Sequence, residues 1–288
     1  MKPPPFEYHA PRTLDEAVTL IATLPNAKLL AGGQSLMPML NMRYVLPDHV
    51  IDLNRIPSLN YIRAEADAVE IGALTRQSEI AASPVIQRRL PILVEALHHV
   101  GHIQTRNRGT IGGSLCHLDP AAELPAVAML LDAEILIAGP RGQRYLPMRD
   151  FPAYYMTPAL EPDEIVTGVR FPVPPLGHGY GFEEFARRRG DFAIVAVGTI
   201  LTGSTALIER AAVVVAGVGA APIRITAAEE ILKGATPSED MIREAAAKCG
   251  EIEAMEDAYA SADYRRHLAR VLASRALARS AARLAGAP

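Results

Sequence analysis

Two diglycine corners constrain this chain more than any other feature: Ala31-Gly32-Gly33-Gln34-Ser35 and Thr110-Ile111-Gly112-Gly113-Ser114. Consecutive glycines leave the backbone bare, so several N–H groups can crowd around a ligand with neighbouring negative charges, such as a diphosphate. In the first corner Gln34 and Ser35 add polar donors, and the apolar Leu29-Leu30 run brings the loop in on a buried strand. In the second, Arg106-Asn107-Arg108-Gly109 comes just before, and Thr110 and Ser114 set hydroxyls on either side of the glycines. Either corner alone reads equally as a tight turn. Two of them on separate units, with polar flanks of the same kind, can grip one long anionic cofactor from both sides.

The elements around the corners follow from periodicity. Thr13-Leu14-Asp15-Glu16 reads as a capping box, and Ala17, Val18, Ile21 and Ala22 share a helical face, which predicts a helix from Thr13 to Leu24. Lys28 to Ala31 and Val50 to Leu53 are short apolar runs, so the first corner belongs to a small α/β unit. Val69 to Ala73 alternates like a strand, and Ser83-Pro84 starts a helix that continues to about Gly101. Glu134 to Ala138 and Ile165 to Phe171 read as strands, and Pro172-Val173-Pro174-Pro175-Leu176-Gly177 as a linker. Beyond it, Ala193 to Thr202 and Ala211 to Val218 have the β-branched content of paired strands. Thr226-Ala227-Ala228-Glu229 offers a second capping box before an alanine-rich helical tail.

Bulk properties exclude several functions. A chain of 288 residues predicts two domains. With a net charge of -3, no basic excess recruits nucleic acid or an anionic membrane. The Met1-Lys2-Pro3-Pro4-Pro5-Phe6 start lacks the apolar core of a signal peptide, and no segment supplies the about 18 unbroken apolar residues of a spanning helix, so a cytoplasmic location is expected. Cys116 and Cys249 are too few for an iron–sulfur cluster and wrongly spaced for zinc. With no tryptophan and 5% aromatic residues, ligand binding is expected to run through the backbone rather than through stacking.

The strings AGGQSLMPMLNMR (Ala31 to Arg43) and RGTIGGSLCHLDPAAELPA (Arg108 to Ala126) resemble the two FAD motifs of the medium subunits of the molybdenum hydroxylase, or xanthine dehydrogenase, family, which includes carbon monoxide dehydrogenase and quinoline oxidoreductase. The resemblance extends to the Phe6-Glu7-Tyr8 opening, Pro162-Asp163-Glu164-Ile165, Arg187 to Phe192 and the helical tail. It implies an α+β fold: a two-part FAD-binding domain of the vanillyl-alcohol-oxidase-like (PCMH) type over 1–175, with subdomains of about 1–55 and 56–175. A small C-terminal domain of a short antiparallel sheet plus helices follows over 178–288.

The implied cofactor is FAD. Its diphosphate and ribityl chain would lie against Ala31, Gly32, Gly33, Gln34, Ser35 and Leu36, and against Thr110, Ile111, Gly112, Gly113 and Ser114, with Gly109 and Asp119 completing the second loop. Val100, Gly101 and Thr105 match a segment that lines the cofactor, Val166 an apolar flavin contact, and Phe192 a residue near the isoalloxazine ring. His117-Leu118-Asp119 departs from relatives that carry a small polar pair before the aspartate, which leaves the role of His117 open. The implied partners are a molybdopterin-binding large subunit and a [2Fe-2S] small subunit in a dimer of heterotrimers, with electrons passing from the clusters through this subunit to an external acceptor. A self-sufficient FAD-dependent dehydrogenase or reductase is the alternative, and a flavin-free scaffold a third.

Other features have plainer readings. Gly217-Val218-Gly219-Ala220-Ala221-Pro222 begins like a nicotinamide-binding corner, but Pro222 stands at the third glycine position and Ile223-Arg224-Ile225 looks extended. His98, His99, His102, Cys116 and His117 are suitable ligand types, yet no carboxylate completes a familiar spacing, and no metal is expected. Asp163-Glu164, Glu183-Glu184 and Arg187-Arg188-Arg189 read as strand ends and solvated faces, and no catalytic side chain is expected because the flavin supplies the chemistry. Arg265, Arg266, Arg270, Arg275, Arg279 and Arg283 flank an apolar stripe of Leu268, Val271 and Leu272, which suits a helix C-terminus or a docking helix better than nucleic acid.

Overall fold

The computed structural model describes residues 1–286. The chain opens with β1 (Glu7–His9), α1 (Leu14–Thr23), β2 (Ala27–Leu30), α2 (Leu36–Asn41) and β3 (His49–Asp52), and the three strands form a parallel sheet in the order β1-β3-β2. The predicted cap forms at α1: the Thr13 hydroxyl accepts from the Glu16 N–H, and the Glu16 carboxylate accepts from the Arg12 N–H. Ala17, Ile51, Leu53, Ile56 and Leu59 form the core of this layer, which closes against Leu74 and Ile165.

A five-stranded antiparallel sheet of order β4-β5-β10-β6-β7 follows, built from β4 (Ile62–Ala64), β5 (Ala68–Gly72), β6 (Glu134–Gly139), β7 (Gly142–Pro147) and β10 (Ile165–Pro172). A hairpin of β8 (Pro152–Tyr154) and β9 (Thr157–Pro158) sits before β10. The helices between β5 and β6 are α3 (Gln77–Ala82), α4 (Pro84–Arg89), α5 (Pro91–Leu97), α6 (Ile103–Arg106), α7 (Ile111–His117) and α8 (Glu123–Leu130). The single helix predicted from Ser83 to about Gly101 is therefore two. Pro91 lacks an N–H and forces Leu90 out of the helical region, to φ -135° and ψ 54°, so α4 ends and α5 restarts with proline at its first turn.

The last unit has an antiparallel sheet of β11 (Gly179–Phe185), β12 (Val195–Gly203), β13 (Ile208–Ala216) and β14 (Ile223–Arg224), with α9 (Thr226–Leu232), α10 (Glu239–Cys249) and α11 (Ala262–Leu284). Helix α11 packs on β11 and β12, while α8 presses on β12 and β13 from the other side. Leu130 of α8 reaches Gly198 so closely that a Cβ there would stand 2.9 Å from its side chain. One hydrophobic core accordingly runs from β5 and α5 through α8 into Ala196, Ile200 and Val214.

Two local expectations fail here. Thr226 does not cap α9: the flanking residue is Ile225, without a side-chain hydrogen bond. The Glu229 carboxylate is drawn instead to the Arg224 guanidinium at 2.7 Å and to the Val213 N–H at 2.8 Å. The solvated-face reading of Glu183 also fails, because an arginine of the tail helix reaches back to it. Arg279 pairs with Glu95 and Glu183, and Arg283 with Glu95. Their helix docks on its own sheet, with Leu268 and Leu272 buried.

Arg265 is itself buried, donating to Ile194 O and Gly217 O, each at 2.6 Å, and to Asp257 at 2.6 Å. It thereby closes the Gly217 corner, from which the chain passes into edge strand β14 rather than into a helix. Among the described residues, no helix is long and apolar enough to cross a membrane.

Candidate functional site

Strand β2 delivers the first corner. Gly33 has φ +74°, in the left-handed region that glycine adopts without strain. Among the described residues no protein acceptor meets the backbone N–H groups of Gly32, Gly33, Gln34 or Ser35. Gly32 is buried and Gly33 and Ser35 are half-buried, where unpaired donors are costly, so their place at a cleft marks a seat for an anionic acceptor.

The second corner works differently from its sequence reading. Thr110 forms an isolated bridge with Arg76, and the following N–H groups are already occupied: Ile111 donates to Thr75 O at 3.2 Å, Gly112 to Ala73 O at 2.9 Å, and Gly113 to the Thr110 hydroxyl at 3.1 Å. Its glycines provide close approach instead. A Cβ on Gly112 would stand 2.6 Å from that of Ala73, so only glycine lets α7 settle on the chain leaving β5. At Gly113, beyond the Thr110 hydroxyl, the next atom is the Ala31 Cβ at 3.9 Å, so a side chain there would grow toward the first loop.

The two corners touch. A Cβ on Gly32 would lie 2.3 Å from Arg108 O and 2.9 Å from the Gly109 Cα. A polar chain ties the contact together: the Tyr8 hydroxyl donates to Asp52 at 2.6 Å, Asp52 accepts from the Asn54 N–H at 2.9 Å, and the Asn54 amide donates to Ala31 O at 2.8 Å. Arg76 then bridges Asn54 Oδ1 and Arg108 O, both at 2.6 Å. Asn54→Ala removes the tie on both loops, and the expected result is FAD binding weakened about 10- to 100-fold, read by flavin fluorescence titration. Unchanged affinity would show that the loops hold their spacing without Asn54.

Between the corners lies a cleft of about 700 Å³, within the range of small-molecule and cofactor sites. Of the residues singled out from sequence, Ala31 to Leu36, Val100, Thr105, Gly109, Thr110, Gly112 to Ser114, Asp119, Val166 and Phe192 line it. Gly101 and Ile111 do not. Gly101, at φ +44°, turns the chain against Thr105 and Gly190, and Ile111 is fully buried in the core with its N–H already bonded. Val166 is buried in the wall, and Phe192 is 64% exposed at the rim.

Sequence reasoning missed Gln77 and Glu123, gave Cys116 no site role and left that of His117 open; all four face the cleft. Gln77 is buried with its side-chain oxygen unpartnered, beside Gly109. Only the fold brings it there, because its backbone N–H donates to Gly109 O from the opposite side of the Arg76–Thr110 bridge. Of the histidine–cysteine cluster considered for metal, only Cys116 and His117 reach the cleft.

Burial dominates the electrostatics. It pushes Glu123 up to about 7, with nearby Asp119 adding to the shift, and pushes Glu184 up to about 8, with Glu123 adding. It holds His117 below its ordinary value and lifts the Cys116 thiol to about 12. Because the folded chain binds the Glu123 proton more tightly than the unfolded chain does, stability falls as pH rises from the ordinary carboxylate value of 4.5 through about 7. Glu123→Gln is therefore expected to stabilise the flavin-free chain at pH 8, by up to about 3 kcal/mol, and to leave it unchanged near pH 4. Urea melts at the two pH values check this, and equal differences at both would contradict it.

Residues 4–174 match the family described as the FAD binding domain in molybdopterin dehydrogenase. The chain belongs to that family. Residues 180–280 match a second model, the CO dehydrogenase flavoprotein C-terminal domain. The carbon monoxide dehydrogenase medium chain of Hydrogenophaga pseudoflava is 38% identical over 99% of this chain and 100% of its own length. The 6-hydroxypseudooxynicotine dehydrogenase complex subunit alpha of Paenarthrobacter nicotinovorans is 39% identical over 97% of this chain and 96% of its own.

The solved carbon monoxide dehydrogenase of Hydrogenophaga pseudoflava superposes with a TM-score of 0.96, covering 98% of this chain and 99% of that one at 38% identity. Quinoline 2-oxidoreductase from Pseudomonas putida 86 superposes at 0.94, covering 98% of each chain at 33% identity. This family member is an oxidoreductase subunit, and its cofactor is FAD. The cleft fits that group on its own evidence, with unpaired N–H groups along one loop and a bare Gly113 next to Ala31.

Proposed function

We propose that this chain is the FAD-carrying medium subunit of a heteromeric molybdenum hydroxylase. In that assembly a large subunit oxidises the substrate at a molybdopterin cofactor, a small subunit carries [2Fe-2S] clusters, and this chain passes electrons from the clusters to an external acceptor. The single observation that carries the reading is the cleft of about 700 Å³ lined by both corners, with unpaired N–H groups on Gly32 to Ser35 and Gly113 next to Ala31. FAD, when bound, supplies a centre that takes electrons singly and releases them singly or in pairs.

The chain's own residues bind and orient. The N–H groups of Gly32 to Ser35, together with Thr110 to Ser114, would hold the diphosphate and ribityl chain of FAD. Val166 would give the ring an apolar seat, and the exposed Phe192 at the rim would stand near its edge. Relatives named for substrates as different as carbon monoxide and nicotine share this subunit at 36–38% identity, which supports placing substrate choice outside the chain. The reading includes a PCMH-type FAD domain over 1–175, a C-terminal domain over 178–288, a dimer of heterotrimers and a cytoplasmic setting.

The test is anaerobic reduction of the flavin, followed by its visible absorbance, with and without the two partner subunits. Substrate-dependent bleaching only in the assembled complex is the expected result. Bleaching of the isolated chain by a small organic donor would favour a self-sufficient dehydrogenase instead.

A further inference from the structure

One face of the β1–β3 pair carries, beside the buried Ile51, a grouping that flavin binding does not use. Strands β1 and β3 run parallel, with Glu7 opposite His49 and His9 opposite Ile51. Side chains alternate along a strand, so Glu7 and His9 share one face with His49, while Tyr8 and Asp52 take the other and join the polar chain to the first corner. On the shared face, His9 Nε2 lies 3.2 Å from His49 Nδ1. The Glu7 carboxylate lies 3.4 Å from the same His49 nitrogen and 3.9 Å from the His9 nitrogen.

These separations match a coordination edge. Ligands about 2.0–2.1 Å from a tetrahedral zinc ion stand about 3.3–3.4 Å from one another. The two imidazole nitrogens already lie near that spacing and are held by half-buried rings. Only the carboxylate of Glu7, 74% exposed, must move by a few tenths of an ångström. Among the described residues this is the one grouping of three or more histidine, cysteine or carboxylate side chains with donor atoms this close together.

We propose that Glu7, His9 and His49 form a binding site for a divalent first-row transition metal, zinc above all, with the fourth position open to solvent. Two neutral imidazoles and one carboxylate are a donor set that zinc accepts and that magnesium and calcium, which prefer all-oxygen shells, do not. The ion staples the three-residue edge strand β1 to β3. Because β3 ends at Asp52, which holds Asn54 and through it Ala31 O, the staple also steadies the first flavin corner. Proton and metal compete for the same ring nitrogens, so acidification releases the ion.

The test uses the full-length, tag-free, FAD-loaded chain dialysed against zinc chloride, with metal content measured by atomic emission, and with cobalt(II) substituted to report tetrahedral geometry through its visible bands. One equivalent of zinc is expected, lost in the His9→Ala and His49→Ala variants. Affinity is expected to fall at least about tenfold in Glu7→Gln, since each ligand must be a deprotonated donor. Zinc should also slow the release of FAD on dilution in the parent chain and not in His49→Ala, a readout that a mere hydrogen-bonded histidine pair would not move. Failure to bind, or binding unchanged in the His9→Ala/His49→Ala double variant, overturns the proposal. Because FAD loading is measured separately, that failure is distinguishable from failure of the flavin assignment.

Discussion

Replacing Gly32 with valine is expected to leave a folded chain that no longer retains FAD. The first added carbon would stand 2.3 Å from Arg108 O and 2.9 Å from the Gly109 Cα, and both obstacles are backbone rather than movable side chain. The loops must part, and parting them stretches the Arg76 bridge between Asn54 and Arg108 and dismantles the tie to Ala31. The unpaired N–H groups of the first corner then lose their register with Gly113. A loss of at least 100-fold in affinity, about 3 kcal/mol, is the expected scale. The flavin-to-protein absorbance ratio after dialysis reads it directly. Gly177→Ala is the control, because that glycine has open space around it and adds only the strain of its φ of +81°. Stoichiometric flavin in Gly32→Val would mean that the corners are not pressed together as described.

Gly179→Val is expected to have the largest effect on stability. Strand β11 lies so close to α11 that a Cβ at Gly179 would fall 1.8 Å from Ser280 O, and one at Gly181 would fall 2.5 Å from Ala276 O. The helix must lift from the sheet, breaking the buried hydrogen bond of 2.7 Å between Thr199 and Ser280 and exposing Ala273, Ala276 and Leu277. A loss of about 3–5 kcal/mol follows, which for a chain of this size lowers the melting temperature by about 10 °C. Calorimetry of parent and variant reads this, and a melting temperature within about two degrees of the parent would refute the close packing of α11 on β11.

The diglycine corners were legible because a bare backbone is itself the signal. Their division of labour was not. The N–H groups of Ile111 and Gly112 are consumed by Thr75 and Ala73, residues far back in the chain that only the fold brings alongside. For the same reason neither the Asn54–Arg76 tie nor the unpartnered Gln77 left any pattern in the sequence.

The strands of β-branched residues were readable from composition, whereas β11 was hidden by Glu183 and Glu184. Their charges suggest a solvated face, yet Glu183 meets Arg279 and Glu184 is buried with its carboxyl value pushed up to about 8. The break at Pro91 was within reach of local rules. The missing cap at Thr226 was not, since it depends on Arg224 and Val213 competing for Glu229.

The most direct measurement is the simplest. The full chain, expressed with FAD available and purified gently, is expected to carry about one FAD per chain with a protein-bound flavin spectrum, as a single continuous cleft requires. A chain that purifies folded and colourless, and that neither quenches nor retains added FAD, would contradict the account.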